Sequence, residues 1–156
     1  MTERTIELTR TIEAPPSTVF HALTDADELA RWWTTSSSSE PRAGGAFSYR
    51  FEFEDATRDH TYEGAYLEVT PDERVSYPWH AAAGETTVDV RLRTRGEGTE
   101  LTLRHTGWPE GADADEAVQL HEQGWSFFLD NLVAHLERGE DLRPGAPMGQ
   151  KTPATV

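Results

Sequence analysis

The chain opens on an alternation. In residues 4–13, Ile6, Leu8 and Ile12 share one face while charged and hydroxyl side chains take the other, which predicts a first strand. Ala14-Pro15-Pro16-Ser17 stops it, and proline is tolerated in a helix's first turn, where its missing N–H is not needed. The period then changes: Val19, Phe20 and Leu23 form one helical stripe, Thr24 and Asp25 punctuate it, and Leu29, Trp32 and Trp33 mark a second short helix. Residues 34–45, rich in Ser and Thr and ending in Gly44-Gly45, read as a polar loop.

The plainest strand pattern covers 46–54, where Phe47, Tyr49, Phe51 and Phe53 alternate with Ser48, Arg50, Glu52 and Glu54, so the rings must point inward. Further strands are predicted over 60–69, 74–80, 86–94 and 99–106. Turn chemistry at Pro71-Asp72-Glu73, Ala83-Gly84 and Gly96-Glu97-Gly98 suits an antiparallel meander, and connections this short cannot hold a parallel crossover. After Gly107-Trp108-Pro109 a helix is predicted over about 115–138, with Val118, His121, Trp125, Leu129, Leu132 and Leu136 on one stripe and Phe128 at its edge. Gly139 ends that helix. Trp125 is expected against the sheet, with Gly124 permitting close approach of helix and sheet. Leu120 and Phe127, roughly opposite the stripe, are expected either under the short helices and the 108–112 loop or on a partner surface. The fold class is therefore α+β, with residues 1–139 as one domain. Residues 140–156, carrying Pro144, Pro147 and Pro153 and almost no apolar pattern, read as a flexible C-terminal tail.

Charge and composition narrow the function classes. The formal net charge of −14, from 28 acidic against 14 basic residues, repels phosphate backbones and argues against nucleic-acid binding. Thirteen of those bases are arginines and one is Lys151, a balance that fits either adaptation to high salt or a GC-rich genome. No run approaches the ~18 apolar residues of a membrane span and no signal-peptide stretch follows Met1, so no membrane partner is expected and the cytoplasm is the expected location. Without cysteine there is no disulfide, thiolate nucleophile or cysteine-based zinc site.

A search for catalytic or metal chemistry returns little. The histidines (His21, His60, His80, His105, His121 and His135) form no H-x-H or H-x-x-x-H pair. His121-Glu122 begins like a zinc-protease motif, but Trp125 stands where the second ligand must be. Asp113-Ala114-Asp115-Glu116 lacks the glycine and distal glutamate of a calcium loop and suits a helix N-terminus better. There is no G-x-S-x-G, P-loop or G-x-G-x-x-G. His105 on its strand is accounted for more simply as a core or rim histidine than as an acid/base group. No catalytic residue, metal or cofactor is assigned, which favours a binding protein over an enzyme.

The positive signal is aromatic. Trp32, Trp33, Phe47, Tyr49, Phe51, Phe53, Tyr62, Tyr66, Tyr77, Trp79, Trp108 and Trp125 sit on elements that should face one another. From composition alone the simpler account is a large aromatic core; the alternative is an aromatic-lined cavity.

Taken in order, these residues resemble a known family. Ile12-Glu13-Ala14-Pro15-Pro16, then Val19-Phe20-x-Ala22-Leu23-Thr24 and Leu29-x-x-Trp32-Trp33, look like the opening of the heat-shock-protein-90 ATPase activator homologue family. The likeness continues through Tyr62-x-Gly64-x-Tyr66-Leu67-Glu68-Val69-x-Pro71, Tyr77-x-Trp79, Gly98-Thr99-x-Leu101-Thr102-Leu103-x-His105 and Gly124-Trp125-x-x-x-Leu129-x-x-Leu132, about residues 5–138 in all. The resemblance implies the helix-grip fold of the START/Bet v 1-like (SRPBCC) superfamily: a six- to seven-stranded antiparallel sheet curved around a long C-terminal helix, with two short helices after strand 1. It also implies a cavity between helix and sheet, which moves the cavity reading ahead. The candidate lining is Trp32, Trp33, Phe47, Tyr49, Phe51, Phe53, Tyr66, Tyr77, Trp79, His105, Trp108, Trp125, Phe128, Leu129 and Leu132. The leading expectation is a non-catalytic carrier or sensor of a small hydrophobic or aromatic molecule, such as a lipid or polyketide. A co-chaperone-like module with a chaperone partner and a polyketide cyclase or dehydratase using the same pocket are the alternatives, and a homodimer is one of the two accounts of Leu120 and Phe127.

Overall fold

The computed structural model describes residues 4–81 and 84–153. Strand β1 (Ile6–Ile12) buries Ile6 and Ile12 and half-buries Leu8, as its alternation requires. Helix α1 (Pro16–Thr24) starts on its proline and buries Val19, Ala22 and Leu23. The Thr24 hydroxyl donates to Phe20 O at 2.8 Å, and the Asp25 carboxylate caps helix α2 (Ala26–Trp32) by accepting from Glu28 N at 3.1 Å. Two short helices instead of one follow directly from that pair.

The strands form two antiparallel sheets rather than one six- to seven-stranded sheet. Five strands run in the order β1-β8-β7-β6-β5, where β5 is Glu68–Thr70, β6 Arg74–Ala81, β7 Gly84–Arg95 and β8 Gly98–Thr106. Three run β2-β3-β4, where β2 is Ser36–Ser39, β3 Ala46–Phe51 and β4 His60–Ala65. The expected strand over 60–69 is divided at Tyr66 and Leu67, whose N–H groups turn to Gly45 O and Ser76 O respectively. β4 lies along β6 by side chains alone: Tyr62 stacks on Trp79 with ring centroids 3.8 Å apart, and Gly64 faces Pro78. Pro78 has no N–H to offer a neighbouring strand. A Cβ at Gly64 would sit 3.0 Å from the Phe47 ring of its own sheet and 3.1 Å from Pro78 across the divide, so a larger residue would push these neighbours back by a few tenths of an ångström. The turn expected at Ala83-Gly84 lies partly outside the described residues.

β2 falls in the expected polar loop. Its four serines pair with Phe47–Arg50 of β3, and Ser37 and Ser39 add hydroxyl bonds to Ala26 O and Tyr66. β3 ends at Phe51, short of the expected 54, because Phe53 N turns to the Asp59 carboxylate and Phe53 bridges to Gln150.

Helix α3 (Ala112–Arg138) crosses the sheets and buries Trp125, Leu129, Leu132 and Ala134, with Val118, His121 and Leu136 half-buried on the same stripe. It begins at Ala112, capped by Gly111 without a side-chain bond, so Asp115 lies in its first turn instead of before it. It ends on Gly139 in the left-handed region (φ 66°). Arg10 of β1 holds it through Asp130 at 2.8 Å and Ser126 at 3.0 Å. This is the α+β helix-grip arrangement, and among the described residues no helix is long and apolar enough to cross a membrane.

In the C-terminal segment, read from sequence as a flexible tail over 140–156, the described residues 141–151 make polar contacts with the domain, and 154–156 lie outside the described residues. Arg143, 1% exposed, forks onto the Asp141 carboxylate and donates to Ala30 O and Thr34 O at the end of α2. Asn131 of α3 donates to both Trp32 O and Asp141 and accepts from Leu142 N. Further on, Gln150 donates to Trp33 O, Lys151 N to Glu52 O and Glu54 N to Gly149 O. The docking is polar: a buried cation and amides satisfy α2's last carbonyls, which have no helical partners of their own.

Candidate functional site

Trp33 is placed by the end of α2, where the helix stops and its ring turns into the fold. It packs against Trp32, Tyr49, Phe51, Trp79 and Trp125, with centroids 4.9–5.8 Å away. On the α3 side of this ring lies a cavity of about 320 Å³, within the range of small-molecule sites. β3 and its continuation supply Phe51 and Phe53, β4 supplies His60 and Tyr62, and β6 supplies Trp79. α3 contributes Leu120, His121, Gly124, Trp125 and Phe128; Arg58 and Met148 complete the lining. The inner part is ring upon ring. The rim carries Arg58, His60 and Leu120, the last 59% exposed.

Two histidines beneath and beside the cavity are fixed in one protonation state. His105, fully buried on β8, accepts the Trp125 indole N–H on Nδ1 at 3.0 Å. Its proton therefore sits on Nε2 and goes to Thr86 Oγ1 at 2.6 Å, and that hydroxyl donates to Trp79 O at 2.7 Å. Adding a second proton would set an N–H against the Trp125 N–H. Burial, with His121 nearby, pushes the His105 pKa down to about 3. His121 repeats the pattern: Nδ1–H donates to Ala117 O at 2.8 Å and Nε2 accepts the Trp79 indole at 3.2 Å. Burial lowers its pKa too, against the opposing pull of the Ala117 carbonyl. Both imidazoles are neutral near pH 7 and have their lone pairs engaged.

A second polar cluster lies apart from the cavity. The hydroxyls of Ser39, Tyr66 and Tyr49 form a chain with both links at 2.6 Å. Burial holds the Tyr49 and Tyr77 hydroxyls well above the usual phenol range, so both remain protonated.

Of the residues picked from sequence, Trp33, Phe51, Phe53, Trp79, Trp125 and Phe128 line the cavity. Trp32, Phe47, Tyr49, Tyr66, Tyr77, Trp108, Leu129 and Leu132 are buried in the surrounding core, and His105 is buried behind Trp125. Gly124 corrects its expected role. A Cβ built there meets nothing within 4 Å, so the glycine leaves space instead of bringing helix and sheet together. Leu120 and Phe127 do not form one free patch: Leu120 stands on the rim while Phe127 is half-buried edge-on to Phe128 at 5.4 Å. His121 was within reach of sequence reasoning, one helical turn before Trp125 on the same stripe. Met148 and Arg58 were not, since neither belongs to a periodic element. Among the described residues no group of three or more His, Asp or Glu side chains is placed to hold a metal.

A family model described as activator of Hsp90 ATPase homolog 1-like protein matches residues 13–137. No curated protein matches the chain. Among solved structures, protein CV1439 from Chromobacterium violaceum is 29% identical, with a TM-score of 0.73 over 86% of this chain and 98% of that one. Protein MLL2253 from Mesorhizobium loti is 25% identical, with a TM-score of 0.74 over 88% and 99%. The Aha1 dimer from Colwellia psychrerythraea, at 23% identity and TM-score 0.73 over 88% and 98%, shares the fold.

Proposed function

The chain belongs to the activator of Hsp90 ATPase homolog 1-like family, and from that premise we propose that it binds a small, ring-containing apolar molecule in the aromatic cavity, as a carrier or sensor without chemistry of its own. The observation that carries this reading is the unfilled space of about 320 Å³ among Trp33, Phe51, Tyr62, Trp79, Trp125 and Phe128, in a core otherwise dense with rings. Flat apolar molecules stack on such walls. The engaged lone pairs of His105 and His121 support a binding role over catalysis, because neither nitrogen is available to take a proton from an occupant.

Three tryptophans in the wall make the test direct. A panel of flavonoid-like and polyketide-like aromatics should quench tryptophan fluorescence with saturation at micromolar concentration and raise the melting temperature, since only the folded state has the cavity. A panel silent in both measurements would refute the reading. A stable complex with an Hsp90 chaperone in place of ligand binding would move the function to the protein-binding role that the family description names.

A further inference from the structure

Resting on this ligand-binding reading, we propose that the occupant is a flat apolar molecule bearing one anionic group, seated with its rings inward and its charge against Arg58 at the rim. The chain has 28 acidic residues, yet no Asp or Glu is in the cavity lining, whose one fixed charge is the Arg58 guanidinium. A cation bound among the rings would find no carboxylate and would face that guanidinium instead.

Arg58 is held ready. Its guanidinium carbon stands 4.5 Å over the Phe53 ring and Nη1 donates to Met148 O at 3.0 Å, which fixes the fork at the rim. Nε and Nη2 find no acceptor among the described residues. Asp55 feels the guanidinium charge, but its carboxylate accepts from Thr57 N at 3.1 Å and the Thr57 hydroxyl at 2.6 Å, and it makes no ion pair with Arg58. Asp55 thus reduces the field around the guanidinium without occupying its donors.

Tyr62 and His60 add two more polar side chains to the lining. Burial raises the Tyr62 hydroxyl above the usual phenol range, so it stays a donor, and no described residue pairs with it. The His60 ring lies edge-on to Tyr62 with centroids 4.3 Å apart and is exposed at the rim. Deeper in, the Trp79 and Trp125 indole N–H groups are already committed to histidines, while the Trp33 indole N–H has no partner among the described residues, so the inner wall is rings with donor groups and no carboxylate. Rings inside and an arginine fork at the rim select an amphipathic occupant with one orientation. A carboxylate can take two N–H groups of an arginine fork, the strong form of this contact.

The test uses one ring frame with three head groups: naphthoate, its methyl ester and naphthyl trimethylammonium. Each is titrated by tryptophan fluorescence and calorimetry into the full chain and into Arg58→Gln. Naphthoate should bind about tenfold tighter than the ester, a difference of about 1.4 kcal/mol. In Arg58→Gln that advantage should fall below about threefold, with the ester's affinity unchanged. Arg58 is exposed, and an unchanged melting curve for the variant confirms that only the contact was removed. Equal binding of ester and acid, tightest binding of the ammonium, or an acid preference that survives Arg58→Gln would each overturn the anionic assignment while leaving the cavity reading standing. Failure of all three probes together with the wider aromatic panel would overturn both.

Discussion

Replacing Gly124 separates the stability of the helix from the capacity of the cavity. The residue sits mid-way along α3, and an added Cβ meets nothing within 4 Å. Glycine in a helix interior is about 1 kcal/mol less favourable than alanine, and leucine is nearly as good a helix former as alanine. Gly124→Ala should therefore stabilise by about 1 kcal/mol, which for a chain of this size raises the melting temperature by roughly 2–4 °C. Gly124→Leu should be at least as stable, because its side chain fills existing apolar space. Deleting a leucine side chain to alanine in another protein's core leaves an opening of about 150 Å³, so the reverse insertion here takes up to roughly half of the 320 Å³. A ligand at a hundred times its dissociation constant stabilises the native state by about 2.7 kcal/mol, roughly 5–10 °C on the same scale. That increment should be present in wild type, present or slightly reduced in Gly124→Ala, and absent in Gly124→Leu. Thermal melts with and without a flavonoid read all of it. Destabilisation by alanine would mean that helix and sheet touch at this point after all. A leucine variant that keeps the ligand increment would place binding elsewhere.

His105 and His121 make stability depend on pH in a definite direction. Their native pKa values lie below the usual 6.5, so the unfolded chain binds more protons as the pH falls; the stabilisation is complete above 6.5 and is lost towards the native pKa, about 3 for His105. The loss approaches about 1.4 kcal/mol per pH unit from His105 alone. Denaturant titrations between pH 6.5 and 5 should show it, and His105→Gln should flatten it; an equal slope in the variant would refute the assignment. Removing the Arg143 side chain takes the counter-charge from the Asp141 carboxylate, which keeps the Asn131 amide, and leaves Ala30 O and Thr34 O without their donor. Allowing for the partial exposure of Asp141, Arg143→Ala should cost about 2–4 kcal/mol, and deletion of 140–156 at least as much, measured as urea midpoints. A truncated chain that melts like wild type would show that the segment adds nothing to the fold.

Much of this architecture is written in periodicity, because periodicity records which face is dry. The rings of Phe47, Tyr49 and Phe51 alternating with Ser48 and Arg50 could point only one way, and the stripe through Trp125, Leu129 and Leu132 could lie only against them. β2 could not be seen: four serines have no dry face, and the strand exists through its backbone pairing with β3 and two hydroxyl bonds. The docked C-terminal segment escaped for the same reason, since Arg143 and Gln150 are buried by hydrogen bonds rather than by apolar surface. The cavity was half legible. Alternation tells that Phe47, Tyr49 and Phe51 all point inward, but not that Phe47 and Tyr49 meet Tyr66 and Tyr77 while Phe51 meets open space. Which inward residues touch one another depends on how far the two sheets are offset, and that offset is set at Gly64 and Pro78.

The two sheets meet at β4 and β6 through rings and a glycine, with no backbone ladder between them among the described residues, and this bears on rates. Local opening takes place where the fewest backbone bonds must break. β3 and β4 are paired from Ala46–Phe51 to His60–Ala65, so their amides share one opening event. At one end Tyr66 N and Leu67 N are bound on opposite sides of the divide, and at the other Lys151 N donates to Glu52 O and Glu54 N to Gly149 O. Loosening the chain at 149–151 should therefore speed amide exchange in β3 and β4 together and leave β7 and β8 unchanged.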